Sequence, residues 1–177
     1  LDFSLIVTRD NLRLYAQFSY LDGVLALPNA YPLLSIYTPG QGWWQTTDQP
    51  QGDAVFSETS FYTVNVTAPE SLIIAASGSR VGLADNGDGT LAHAYVAPLM
   101  REFALFASED YVTFTGEQDG VTINLYFDPQ TPGADATARA GLTMTKHAVR
   151  VFNAVYGSSP FAELDVVQTP TTAGGIE

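Results

Sequence analysis

Apolar and polar positions alternate with a period of two in short runs over residues 1–127, and turn-forming residues separate the runs. Tyr62, Val64 and Val66 alternate with Thr63, Asn65 and Thr67 until Ala68-Pro69-Glu70-Ser71 breaks the run. Leu72-Ile73-Ile74-Ala75-Ala76 reads as a continuous apolar strand ended by Ser77-Gly78. Asp85-Asn86-Gly87-Asp88-Gly89 predicts a hairpin turn, because Asn and Gly accept the positive φ that tight turns require. Further strands are expected over residues 91–96 and 103–107. A second hairpin is expected from residues 111–115 and 121–127, with Val121, Ile123, Leu125 and Phe127 on one face. Many short strands with frequent turns predict a β-sandwich.

The period changes after Asp128-Pro129. Pro132-Gly133 reads as a linker or turn, and residues 134–156 carry a helical pattern. Leu142, Thr145, Val149, Phe152 and Tyr156 fall on one stripe, so Leu142, Val149 and Phe152 are expected to pack inward. Asp135 suits a first turn and Gly157 a C′ position. Gly141 is a flaw in that helix, costing about 1 kcal/mol against Ala. A strand at residues 164–169 follows. The fold expected is mainly β: a β-sandwich over residues 1–118, then the start of an α/β domain over residues 119–177, with the boundary near Gly116 to Gly120.

Charge narrows the partners. The 177 residues carry 19 Asp and Glu against 7 Lys and Arg, a net charge of −12. Such a surface repels phosphate backbones and anionic lipid heads, which argues against a nucleic-acid partner. The absence of cysteine removes disulfides, thiolate metal sites and a cysteine nucleophile. No apolar run approaches the roughly 20 residues that span a bilayer, so no transmembrane segment is expected.

Within these residues no catalytic or metal-ligating set is legible. The two histidines, His93 and His147, fall in a strand and a helix, and no H-E-x-x-H occurs. His147, in Lys146-His147-Ala148-Val149-Arg150, reads as a helix-surface residue. The acids of residues 85–89 lack the alternating ligands of a calcium loop. There is no G-x-S-x-G. Tyr31, Tyr37, Trp43 and Trp44 lie in a turn-rich stretch, where aromatic rings either pack or stack on sugars. Gly174-Gly175-Ile176-Glu177 remains, a short signal that follows the last strand.

These stretches, in order, carry a resemblance. Asp22 to Pro32 looks like a segment that precedes the central strands in a bacterial branch. Gly52-Asp53-Ala54-Val55-Phe56-Ser57-Glu58, followed by Tyr62 to Glu70, fits GDxxxSE…YxVxxxxPE. Ala75 to Gly78 and Arg101 to Ser108 continue in the expected order. Tyr156 to Phe161 and Glu163 to Val167 look like YG.YPY..LD.V, and Gly174 to Glu177 occupies the place of G-x-M-E-N. In these features the chain resembles the membrane alanyl aminopeptidase family of gluzincin zinc metallopeptidases.

The resemblance implies an N-terminal β-sandwich packed on a thermolysin-like catalytic domain, with zinc as cofactor and peptides as substrate. It implies that Glu177 binds the substrate's free α-ammonium and that Gly174 and Gly175 line the substrate path. Ile176 stands where the family has Met, a volume-conserving exchange. The zinc ligands, the general-base glutamate and the transition-state tyrosine are expected after Glu177. The chain then reads as a fragment, inactive alone, that lacks the family's first strands and packs against the remainder of the catalytic domain. The alternatives are a non-catalytic β-sandwich module binding sugars or proteins, and a metal-free scaffold relative of the peptidases.

Overall fold

A computed structural model describes residues 1–9, 18–45 and 57–170. The first elements are β1 (Ser19–Leu21), β2 (Val24–Pro28), β3 (Tyr37–Thr38), β4 (Gly42–Trp43), β5 (Ser60–Pro69) and β6 (Ile73–Ala76). They are followed by β7 (Ser79–Asp85), β8 (Thr90–Met100), β9 (Ala104–Ser108), β10 (Val112–Gln118) and β11 (Val121–Phe127). The helix α1 (Ala134–Tyr156) and the strand β12 (Glu163–Val167) complete the order. The protein is thus mainly β, with a helix and a strand after the β-rich part.

Two Asp-Gly pairs close hairpins by the same physics. Asp22 and Gly23, between β1 and β2, have φ of 48° and 77°. Asp119 and Gly120, between β10 and β11, have φ of 52° and 80°. Two successive positive φ values make a type I′ turn, whose twist matches that of the flanking strands. The expected division between residues 118 and 119 falls at the tip of the second hairpin.

Two sheets form the sandwich, one ordered β1-β2-β9-β6 and the other β5-β8-β7. Alternation along β5 turns Tyr62, Val64 and Val66 inward, against Ile74, Ala76, Tyr95, Ala97, Phe103 and Ala107. β6 is apolar throughout because Ile74, Ala75 and Ala76 are all buried, although consecutive strand residues point to opposite faces. At Gly78, with φ of 82°, a Cβ would lie 2.4 Å from the carbonyl oxygen of Val96, so this corner needs glycine.

A third sheet is ordered β10-β11-β12, with β11 antiparallel to β10 and parallel to β12. Parallel neighbours need a crossover, and α1 supplies it by lying over one face of this sheet. Val121, Ile123, Leu125 and Phe127 are buried beneath it, as their shared face predicts. Gly141 lets the helix approach: a Cβ there would sit 3.0 Å from Leu125 Cδ1. What reads as a flaw in helix propensity is a contact point with the sheet.

The inward stripe of α1 differs from the expected one at its end. Val149 is buried, but Phe152 and Tyr156 are 59% and 81% exposed. Four residues beyond Val149, Asn153 takes the inward place. Its side-chain oxygen accepts from Ser159 N at 2.9 Å, and its carbonyl accepts from Gly157 N at 3.1 Å. Closing the C-terminus needs a polar side chain on that side, which turns Phe152 and Tyr156 outward. His147 is exposed on the helix, as expected. Among the described residues, no helix is long and apolar enough to cross a membrane.

Candidate functional site

The end of β12 is held from several sides. Gln168 N donates to the Tyr126 carbonyl at 2.9 Å, continuing the parallel ladder. Its side-chain oxygen accepts from Asp128 N at 3.1 Å, and its amide nitrogen donates to Thr131 Oγ1 at 3.2 Å. The Tyr111 hydroxyl donates to the Gln168 carbonyl at 2.7 Å. The strand is therefore anchored to the β11–α1 connection just before Thr169-Pro170. Glu177, Gly174 and Gly175 lie outside the described residues, as do Ile176 and residues 52–56 of the resemblance.

The face of the third sheet away from α1 is polar. Asn124 on β11 donates its amide to Glu163 Oε1 and Asp165 Oδ1 of β12, each at 3.0 Å, and its oxygen accepts from Thr115 Oγ1 at 3.1 Å. The pairing register explains this cluster, since Thr122 lies opposite Glu163 and Asn124 opposite Asp165. The face meets the edge of the sandwich around a cavity of about 360 Å³, whose lining includes Arg80, His93, Tyr95, Asn124, Glu163 and Asp165.

Burial sets the electrostatics there. It pushes the Asp165 carboxyl up to about 6; the Asn124 hydrogen bond opposes the rise and the neighbouring Glu163 charge adds to it. Burial, then the Arg80 charge, lowers His93, which keeps its imidazole neutral. Burial raises the phenols of Tyr95 and Tyr126. His93 is 3% exposed, and neither ring nitrogen has a hydrogen-bond partner. The Tyr95 hydroxyl also lacks a well-formed hydrogen bond, although the Arg80 guanidinium acts on it.

Sequence reasoning passed over this cluster. One signal was available: His93 sits in the buried register of an alternating strand, in phase with Tyr95 and Ala97. A second was the spacing of Glu163 and Asp165, two residues apart and so on one face of the strand β12. Neither reveals that the two strands line one cavity.

The remaining candidates fall elsewhere. Residues 85–89 form the β7–β8 turn, where Asp85 and Asp88 accept from Gly87 N and Thr90 N at 2.7 and 3.1 Å; the acids serve the turn itself. Tyr37 and Trp43 pair across β3 and β4, edge to face at 5.1 Å, with both rings more than half exposed. Among the described residues no three His, Asp or Glu side chains are arranged to hold a metal ion. His93 on β8 and His147 on α1 stand in separate elements and do not form a zinc site.

No family model and no curated protein matches the chain. Solved structures do. A variant of a two-domain M1 zinc metallopeptidase bound to L-arginine is similar over 66% of this chain, at 18% identity and a TM-score of 0.49. An M1 zinc metallopeptidase from Deinococcus radiodurans is similar over 66% at 17% identity, with a TM-score of 0.47. A two-domain variant bound to L-tryptophan is similar over 84% at 14% identity, with a TM-score of 0.44. The matched part amounts to 28% of each of the first two chains and 46% of the third. These structural neighbours are M1 zinc metallopeptidases, and the likeness is one of fold.

Proposed function

We propose that this chain is the N-terminal part of a zinc-dependent, aminopeptidase-like metallopeptidase, in which the sandwich is followed by the opening of the catalytic domain, the third sheet with α1. The observation that carries this reading is the β11–α1–β12 unit. Its parallel strand β12, anchored at Gln168, precedes Gly174-Gly175-Ile176-Glu177 in the sequence. Ligands in open α/β sheets bind beyond the carboxyl ends of the strands, which is where a substrate-binding glutamate is useful. The order of the sequence motifs supports the same reading.

Glu177 then pairs with the substrate's N-terminal ammonium, and the backbone of Gly174 and Gly175 allows the peptide to approach closely. The chemistry zinc supplies in such an enzyme is polarisation of the scissile carbonyl and activation of water, with its ligands outside this chain. The test compares the full-length protein with the 177-residue chain. The full-length protein hydrolyses an aminoacyl anilide and loses that activity to a chelator; the chain alone does neither and retains no stoichiometric zinc after dialysis. A tight zinc on the chain alone contradicts the reading.

The exposed Tyr37–Trp43 pair is the observation that favours the second reading, a sugar-binding module. Quenching of tryptophan fluorescence by oligosaccharides, lost in Trp43→Ala, supports it; no quenching removes it.

A further inference from the structure

We propose that the cavity between β8 and β12 is a binding site for a small zwitterion, a molecule with an ammonium at one end and a carboxylate at the other. The inference stands on residues separate from Glu177 and does not rest on the peptidase reading.

The first observation is opposite charge held apart. Glu163 and Asp165 line the cavity on β12 and Arg80 lines it on β7. Among the described residues no ion pair closes between them; the ion pair seen is Arg139 with Asp135 on the helix surface. Asn124 engages one oxygen of each carboxylate and draws the two acids together. Two carboxylates so placed favour a cation, and the guanidinium across the cavity favours an anion. A molecule carrying both charges satisfies the two walls at once, whereas a simple cation or anion meets repulsion at one of them.

The second observation is His93. A buried polar atom without a partner costs about 1–3 kcal/mol, and both ring nitrogens of His93 are in that state. His93 lines the cavity, and its neutral imidazole carries one donor and one acceptor that no described residue satisfies. The space is ample: about 360 Å³ lies within the range of small-molecule sites, roughly 300–1,000 Å³. Leu83 and Leu91 give it an apolar side, suited to the methylene chain between two charged ends.

Calorimetric titration of the chain with glycine, β-alanine, γ-aminobutyrate and ε-aminocaproate tests this, because the series varies only the distance between the charges. Affinity is expected to peak at one chain length. At that length the N-acetylated molecule and the amine lacking the carboxylate should each bind about tenfold more weakly or worse, the scale of one lost charged contact. Asp165→Asn and Arg80→Gln, each confirmed as folded by circular dichroism, should weaken binding to a similar extent, while Glu177→Ala should leave it unchanged. No binding by any member at millimolar concentration overturns the proposal, as does equal binding of the singly charged controls. If the variants fail to fold, those controls on the unaltered chain still decide it.

Discussion

The Tyr111 hydroxyl donates to the Gln168 carbonyl across 2.7 Å, and only 1% of Tyr111 is exposed. One side chain between the sandwich and the third sheet thereby fixes the end of β12. Tyr111→Phe keeps the ring and removes the bond, leaving a carbonyl short of a partner. Urea denaturation should show a loss of about 1–2 kcal/mol. Amide exchange should quicken around Gln168 and leave β5 and β8 unchanged; uniform quickening would show that the bond has no local role.

Gly78 and Gly87 both have positive φ, but only Gly78 is enclosed. A Cβ at Gly78 meets Val96 O at 2.4 Å and Ala97 Cβ at 2.6 Å, whereas one at Gly87 meets nothing within 4 Å. Gly78→Ala should therefore cost about 3 kcal/mol or more, combining backbone strain with overpacking. Gly87→Ala should cost about 1 kcal/mol, from the backbone alone. Equal costs would mean that the corner at Gly78 relaxes freely.

Val149 and Phe152 separate the observed helix face from the one the sequence suggests. Val149→Ala removes buried methyls against Val121 and Ile123 and should cost about 1.5–3 kcal/mol. Phe152→Ser, at an exposed position, should change stability by no more than about 0.5 kcal/mol. The reverse order of effects would restore Phe152 to the core.

Periodicity made the local elements legible. Val121 to Phe127 and the helix at residues 134–156 follow directly from runs of period two and 3.6. The end of the helix stripe was not legible, because positions 152 and 153 both continue it and the choice was made by the closure through Asn153, Gly157 and Ser159. The polar cavity was not legible either. It depends on β8 and β12 lining one cavity, strands about seventy residues apart that share no ladder, and non-local arrangements of this kind leave no period in the sequence. The Asp22-Gly23 hairpin carried a readable signal in its turn pair.

Asp165 gives the chain a pH dependence of definite sign. Its folded-state pKa, about 6, lies above the ordinary value of 3.8. The folded state therefore holds the proton more tightly, and the contribution is fully present below pH 3.8 and lost as pH rises through about 6. Above that, the ionised carboxylate opposes folding by about 1–2 kcal/mol, allowing for its partial contact with solvent. Asp165→Asn should raise stability at pH 7–8 by that amount and flatten this part of the profile between pH 4 and 6. A profile unchanged by the substitution would show that Asp165 ionises as it does in the unfolded chain.

The central claim concerns Glu177, and the most direct measurement is kcat/KM for matched free-amine and N-acetylated peptides in the full-length protein, with and without Glu177→Ala. Loss of a charge-assisted bond to the substrate ammonium predicts a fall of about 1.5–3 kcal/mol in transition-state stabilisation for the free-amine peptide. Any cleavage of the acetylated peptide should barely change. Equal losses on both substrates would contradict the account and leave Glu177 a structural residue of a glycine loop.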